Sequence, residues 1–440
     1  MSSAIAFQKT IILTAIGAPI VSFAMIAALS FFRRPWRETW VGRAAQAGLL
    51  VSLAMLLIAA LVRVGMGSAP TTISLGGGWI TGGVFAFDLL VDGWALSFSL
   101  LCVAICGVVA TFSIRYLHLE PGFDRYFMLL VAFVTGLLLI SFAGSIEVLY
   151  AGWEILGLSS ALLVAFFHER EAPVTSGLRV FAFYRVGDVA MLAAAVLLHH
   201  WAGSDSLVLL FASTGAHETL RPENATVIAV LLIIAASAKS ALFPFSSWLP
   251  RAMEGPTPST AVYYGALSIH AGCFLLFRAA PLLDHSTTAK ILAIVVGAVT
   301  ALYAALLARV QTDVKSKLCF ASLTQVGIIV VEIAVGLRLL AFLHICGNAC
   351  YRLLQFLSAP NLLHDLHQLE SDLGGRIAHA QPAWVARPGF YLFALERGFL
   401  DGMIDRFLVG TVSRVAGFLD RLDRRLCSAL PGLGEDLDGD

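Results

Sequence analysis

Residues 225–250 read ATVIAVLLIIAASAKSALFPFSSWLP. From Ala225 to Ala238 the stretch is almost wholly apolar, without the polar face that a helix on a soluble protein would show. Lys239 then interrupts it, Pro244 follows five residues later, and Pro250 closes it. Proline removes a backbone N–H and clashes with the preceding turn, so Pro244 frees main-chain carbonyls beside a buried ammonium. Irregular backbone at membrane depth is tolerated where it lines a hydrated cavity. The stretch therefore reads as a membrane helix broken beside its own charge, and a simple kink between neighbouring helices is the alternative.

Working outward, ten further apolar runs reach the ~20 residues needed to cross a hydrocarbon layer of ~30 Å. With 225–249 the spans are roughly 8–32, 44–66, 93–116, 124–143, 146–168, 178–200, 225–249, 258–281, 288–308, 318–337 and 338–358. Of the 440 residues 58% are hydrophobic and 13% charged, against ~25% charged in an ordinary soluble domain. The 29 basic and 29 acidic residues are also uneven, 20 of them falling in residues 361–440. The first 360 residues thus carry too few charges to coat a soluble fold. A soluble enzyme, a disordered chain and a nucleic-acid binder are excluded, the last also by a net charge of zero. The fold class expected is all-α, a polytopic membrane protein of about 11 transmembrane helices.

Three regions follow: N-terminal helices and a surface hairpin in 1–92, a transmembrane core in 93–358, and a linker with an amphipathic tail in 359–440. The hairpin is read from Gly76-Gly77-Gly78, Gly82-Gly83 and the alternating Val84, Phe85 and Phe87 within 70–92. The first run is too long for a signal-peptide core and reads as a retained helix. One set of loops holds Arg33, Arg34, Arg37, Arg43, Arg115, Arg125, Arg170, Arg179, Arg251, Arg309, Lys315 and Lys317; the alternate set holds Lys9, Arg63, Arg221, Arg278, Lys290 and Arg338. The excess of basic residues puts the first set in the cytoplasm, with the N-terminus outside and the C-terminus inside. From Phe390 to Leu426 apolar and charged residues alternate with helical period, which predicts one amphipathic helix lying on the membrane or against a partner. Seven cysteines without regular spacing, mostly in apolar runs, read as small hydrophobes rather than a disulfide framework.

An ionisable residue at mid-bilayer costs about 2.5–3.5 kcal/mol on insertion scales, so each needs a partner or a use. Those within spans are Glu154, Arg185, Asp188, Lys239, His270, Glu332, His344 and Arg352. Arg185 and Asp188, three residues apart, share a helix face and can pair. Glu154 and Lys239 have no opposite charge within a turn of their own spans, so each is matched from another helix or titrates. A carboxylate that moves relative to a buried lysine loads or releases its proton, the minimum equipment of a relay. All eight are candidate proton-pathway residues; structural ion pairing and, for the histidines, simple hydrogen bonding are the alternatives.

Gly152-Trp153-Glu154 with Gly157-Leu158, Arg185-Val186-Gly187-Asp188, Lys239-Ser240, Trp248-Leu249-Pro250 and Ala252-Met253-Glu254-Gly255-Pro256-Thr257-Pro258 resemble the proton-translocating antiporter-like membrane subunits. That family includes the large membrane-arm subunits of respiratory complex I and the multisubunit cation/proton antiporters. The likeness continues through Thr312-Asp313-Val314-Lys315 and Gln325-Val326-Gly327 and covers roughly residues 85–365. It implies two inverted five-helix repeats, the first complete here over 124–281 and the second cut short near residue 358. It also implies that Glu154 and Lys239 form the proton-relay pair. Departures are Arg251 for the family's usual Asp, Tyr264 for a His, and Asn348 and Arg352 for a His and a Lys; Glu332 replaces an apolar residue. Arginine releases no proton at accessible pH, so Arg352 sets a field and does not relay.

Ser358-Ala359-Pro360-Asn361-Leu362-Leu363-His364-Asp365 and Leu395-Glu396-Arg397-Gly398-Phe399-Leu400-Asp401 are similar to the membrane subunit of bacterial inorganic-carbon accumulation complexes. This resemblance implies a transporter subunit of the bacterial inner membrane, not itself an enzyme. Its partner would be a large cytoplasmic carbonic-anhydrase-like subunit carrying zinc, with no nucleic acid involved. No cofactor or metal is expected in this chain, His364-x-x-His367 lacking a clear third ligand. The alternatives are a proton-translocating subunit of a complex I-like dehydrogenase or multisubunit cation/proton antiporter, and a non-transporting membrane scaffold for a cytoplasmic enzyme.

Overall fold

The computed structural model describes residues 2–31, 37–66, 70–75, 87–202, 206–207, 220–311, 313–372, 388–396, 402, 406 and 409–429, with side chains for all of these except 2–5, 37, 360–372, 388, 390 and 426–429. The helices are α1 Ser2–Ser30, α2 Arg37–Met66, α3 Gly93–Tyr116, α4 Phe123–Ser141, α5 Ile146–Val164, α6 Glu171–Ala202, α7 Pro222–Lys239, α8 Thr257–Arg278, a short α9 Ala280–Asp284, α10 Thr287–Ala308, α11 Val314–Val335, α12 Arg338–Asp372, α13 Pro388–Leu395 and α14 Gly410–Ala429.

Ten of these, α1 to α8, α10 and α11, are long and apolar enough to cross a membrane. The chain is a multi-pass all-α membrane protein. The expected eleventh span, 338–358, is not among the ten: it is the first part of α12, whose helix continues to Asp372 and whose His344, Asn348, Arg352 and Gln355 dilute its hydropathy. The seventh span also differs. Its helix stops at Lys239 instead of running to 249, and short turns at Phe245–Ser247, Trp248–Arg251 and Ala252–Glu254 lead to α8. The eighth contains a wide π turn over Thr260–Leu267 that no sequence signal announced.

Apolar side chains form the core, and a second apolar set faces outward, including Leu61, Val189, Val196, Ile291 and Leu302. Such an apolar jacket suits hydrocarbon and not water. α8 is buried along its whole length, so everything else is arranged around it. α4 and α5 approach closely because Gly136 and Gly152 face each other: a Cβ on Gly152 would stand 2.8 Å from the Gly136 carbonyl oxygen. Cys102, Cys106, Cys273 and Cys319 are buried and unbridged, as small hydrophobes should be.

The loops sort into two ends. At the basic end Glu38 meets His118 at 2.9 Å, the Tyr116 hydroxyl donates to Thr257 at 3.1 Å, and Arg125 donates to the Phe166 carbonyl at 2.7 Å. At the hairpin end Lys9 donates to the Ser74 carbonyl at 3.1 Å, Asp92 pairs with Arg278, and Asp284 holds both Lys290 at 2.8 Å and Arg338 at 2.6 Å. These contacts join only loops expected on the same side. The hairpin is antiparallel, β1 Thr71–Ser74 with β2 Asp88–Val91, registered Thr71 to Val91. Its glycine-rich tip, with Val84 and Phe85, lies outside the described residues. β2 rests on the turn between α4 and α5, the Leu90 N–H reaching the Phe142 carbonyl at 2.8 Å.

The tail is not one helix from 390 to 426. α13 ends at Leu395 with a turn at Glu396, and α14 begins at Gly410. Gly398, a poor helix former, lies just beyond the turn. Val415, Phe418, Leu419 and Leu422 of α14 form an exposed apolar stripe, as the sequence periodicity requires.

Candidate proton-transfer site

Lys239 is the last residue of α7 and is 1% exposed. Ending there leaves main-chain oxygens without helical partners. The Ser240 N–H takes the Ala236 carbonyl at 2.8 Å, and the Trp248 indole donates to the Ala238 carbonyl at 3.1 Å. Nζ donates to the Trp153 carbonyl at 3.1 Å and lies over the rings of Tyr184, at 4.1 Å from the centroid, and Trp153, at 4.8 Å. Two aromatic faces and one carbonyl thus replace a direct carboxylate partner. Room for the ammonium comes from Gly157, where a Cβ would sit 2.7 Å from Nζ.

Glu154 is matched from α6. One nitrogen of Arg185, Nη2, reaches Glu154 Oε2 at 2.6 Å and Asp188 Oδ2 at 2.7 Å. The expected Arg185–Asp188 pair is present, and Arg185 also bridges to Glu154. Asp188 is 3% exposed. With Arg185 and Lys239 positive and both carboxylates ionised, the four side chains sum to zero charge, so one added proton or one moved side chain leaves the group charged. Ser246, Ser247 and Thr260 have buried hydroxyls with no hydrogen-bond partner among the described residues. Buried polar groups are ordinarily satisfied by protein or by ordered water, so these hydroxyls, in the turn after α7 and near the start of α8, are places for water.

The remaining candidates form a second polar group along α8, α11 and α12. His270 Nδ1 meets the Ala266 carbonyl, and its Nε2 lies 3.0 Å from Asn348 Nδ2. Arg352 reaches Asn348 Oδ1 at 3.3 Å, Gln355 at 2.6 Å and the Ala321 carbonyl at 3.1 Å. His344 lies with Nδ1 at 3.1 Å from both oxygens of Glu332 and Nε2 at 2.9 Å from Gln325 Oε1. Tyr264, in the π turn, donates to the Ser160 carbonyl at 3.0 Å. Sequence reasoning missed Trp153, Tyr184 and Gln325 as participants. The seven-residue spacing from Gln325 to Glu332 puts both on one helix face and could have flagged the last. Among the described residues no cluster of three or more His, Cys, Asp or Glu could hold a metal; the side chains of His364 and His367 lie outside them.

Residues 143–386 match the family model described as NADH:quinone oxidoreductase/Mrp antiporter, transmembrane, and residues 79–127 match the one described as NADH-ubiquinone oxidoreductase (complex I), chain 5 N-terminus. The chain belongs to this family. It is 31% identical over 283 residues to NADH-ubiquinone oxidoreductase chain 5 of Rhinoceros unicornis, covering 64% of this chain and 45% of that one. To the same protein of Halichoerus grypus it is 32% identical over 287 residues, covering 64% and 45%. The chain therefore spans a little under half the length of these relatives. Among solved structures it superposes on the Mrp complex of Dietzia sp. DQ12-45-1b with a TM-score of 0.68 at 25% identity, covering 93% of this chain and 45% of that one. It also shares its fold with the archaeal membrane-bound sulfane sulfur reductase, at a TM-score of 0.65 and 20% identity, covering 78% and 55%. The fold class and the antiporter-like resemblance read from the sequence are both borne out.

Proposed function

We propose that this chain is the proton-conducting, energy-coupling membrane subunit of an inorganic-carbon accumulation complex in a bacterial inner membrane, its C-terminus in the cytoplasm. The observation that carries proton conduction is Lys239: a buried ammonium at a helix break, held by a carbonyl and two rings, beside an arginine that ties up two carboxylates. When Arg185 shifts toward one carboxylate, the other is freed to attract the lysine's proton; when it returns, the proton is released. Water along the orphaned hydroxyls supplies the path to α8. In this reading zinc and carbon chemistry reside in a cytoplasmic carbonic-anhydrase-like partner, and this chain supplies the driving proton. What supports the carbon assignment is the likeness of residues 358–365 and 395–401, together with the exposed apolar stripe of α14 as a surface for a subunit.

The relatives' names favour a second reading, a proton-translocating subunit of a complex I-like or cation-antiporter assembly. Identifying the co-purified subunit separates the two. A zinc-containing carbonic-anhydrase-like protein upholds the first, while quinone-reductase or further antiporter subunits replace it with the second. The scaffold alternative is tested by Lys239→Ala. Transport is expected to stop while the complex still assembles; if carbon-dependent growth survives the substitution, the relay is wrong.

A further inference from the structure

The two membrane histidines are held in different ways, and the difference assigns them different work. Arginine is donor-only, so the Asn348 oxygen must face Arg352, which turns the Asn348 NH2 toward His270 Nε2. That nitrogen must then accept, and Nδ1, which faces the Ala266 carbonyl, must carry the proton. Arg352 therefore locks His270 through Asn348 as a neutral ring. His344 carries no such lock. Its Nδ1 faces a carboxylate, and its Nε2 faces a primary amide whose oxygen or NH2 can be presented by a half-turn. Neutral and cationic states are both satisfied there.

The position fits a terminal station. At ~1.5 Å per residue, Glu332 lies roughly 5 Å from the hairpin end of α11, His344 roughly 9 Å along α12, Gln325 roughly 15 Å deep and Arg352 roughly 21 Å. These groups form a polar seam between α11 and α12, running from the His270 group to the hairpin end. Glu332 and His344 are part-exposed, with side chains 14% and 22% accessible.

We propose that His344 and Glu332 are the proton-exchange station at the hairpin end, where the pathway meets water, and that His270 is a fixed neutral donor and acceptor. The inference rests on the proton-conducting reading. A proton arriving at Nε2 makes the ring a cation with Gln325 Oε1 as acceptor. The Nδ1 proton passes to Glu332 and from there to water. Exchange through water, which takes the proton from Nε2 and gives one to Nδ1, restores the starting tautomer, so one proton enters and one leaves. The other charged or titratable groups around the pair have partners of their own: Arg338 and Lys290 at Asp284, Arg352 at Asn348 and Gln355, and His270 at Asn348 and Ala266.

Two measurements test this on the purified full complex. In proteoliposomes, His344→Gln and Glu332→Gln should each cut proton flux by about tenfold or more. Zinc ions added on the hairpin side should inhibit the wild type and leave the residual flux of His344→Gln unchanged. In ¹⁵N-histidine-labelled complex, the His344 resonance, assigned by its loss in His344→Gln, should change protonation state with pH and shift in Glu332→Gln, while His270 keeps one neutral tautomer with its proton on Nδ1. Wild-type flux in both variants, with Lys239→Ala inactive, overturns the station and leaves the relay standing. A titrating His344 in a complex with no flux sinks the relay and keeps the pair as a proton-binding site. A His344 that does not titrate, or a His270 that does, overturns the assignment of roles.

Discussion

The Lys239 ammonium is bonded to the main-chain oxygen of Trp153, at 3.1 Å, and forms no ion pair with Glu154 or Asp188. Both acids are instead drawn onto Arg185, so the lysine is influenced by carboxylates it does not touch. A direct pair would hold the proton tightly; an indirect one leaves its affinity adjustable by a movement of Arg185. Arg185→Gln should therefore weaken transport more than folding. Flux is expected to fall by about tenfold or more while the amount of assembled complex changes little. Flux in proteoliposomes and complex yield after affinity purification check this.

Gly157 makes the second prediction. Its missing Cβ is the space Nζ occupies, so Gly157→Ala must push the ammonium away from the Trp153 carbonyl or strain α5. Leaving the buried ammonium without that acceptor costs about 1–3 kcal/mol or more. Transport is expected to fall and thermal stability to drop modestly, and Gly157→Ser should behave no better than Ala. A fully active Gly157→Ala would show that the lysine has room the geometry denies.

Asn348→Asp tests the lock on His270. A carboxylate would present oxygen to both neighbours, accepting from Arg352 on one side and calling for a proton on His270 Nε2 on the other. The His270 ¹⁵N signal is expected to move to the imidazolium position at neutral pH, whereas Asn348→Gln should leave it neutral.

Asp284 lies outside the spans, between α8 and α10. Partial burial pushes its carboxyl up, but hydrogen bonds and charge from Lys290 and Arg338 outweigh burial and hold it below its usual value. A folded-state value below the unfolded one means that the bridge stabilises the protein above the unfolded value, ~3.9, and that this contribution is lost as pH falls through the folded one. Asp284→Asn should therefore lower the melting temperature in detergent at pH 7, and the gap from wild type should close as pH drops below about 4.

The spans and their order were legible because apolar length is a strong signal, and α3 begins and ends where the hydropathy does, at Gly93 and Tyr116. Which loops share an end was legible from the alternation of the spans, and the Arg185–Asp188 pair from three-residue spacing. Hidden were features made by tertiary contact. The Lys239 cradle depends on α5 and α6 bringing Trp153 and Tyr184 to one point, which no spacing encodes. The π turn at Thr260–Leu267 leaves no periodic trace in a helix apolar all round. The tail was over-read because amphipathic period persists across Glu396, where the helix does not.

Thr257 and Arg278, the first and last residues of α8, are both fastened to the region of α3, through Tyr116 at one end and Asp92, the α3 cap, at the other. A helix pinned at two points along the same neighbour has no free end to swing. In the proposed proton path, access to opposite sides of the membrane is then switched without rocking α8, by rotating side chains and by water appearing or leaving around it. The moving parts of this machine would be small, and its cycle would leave the backbone outline nearly unchanged.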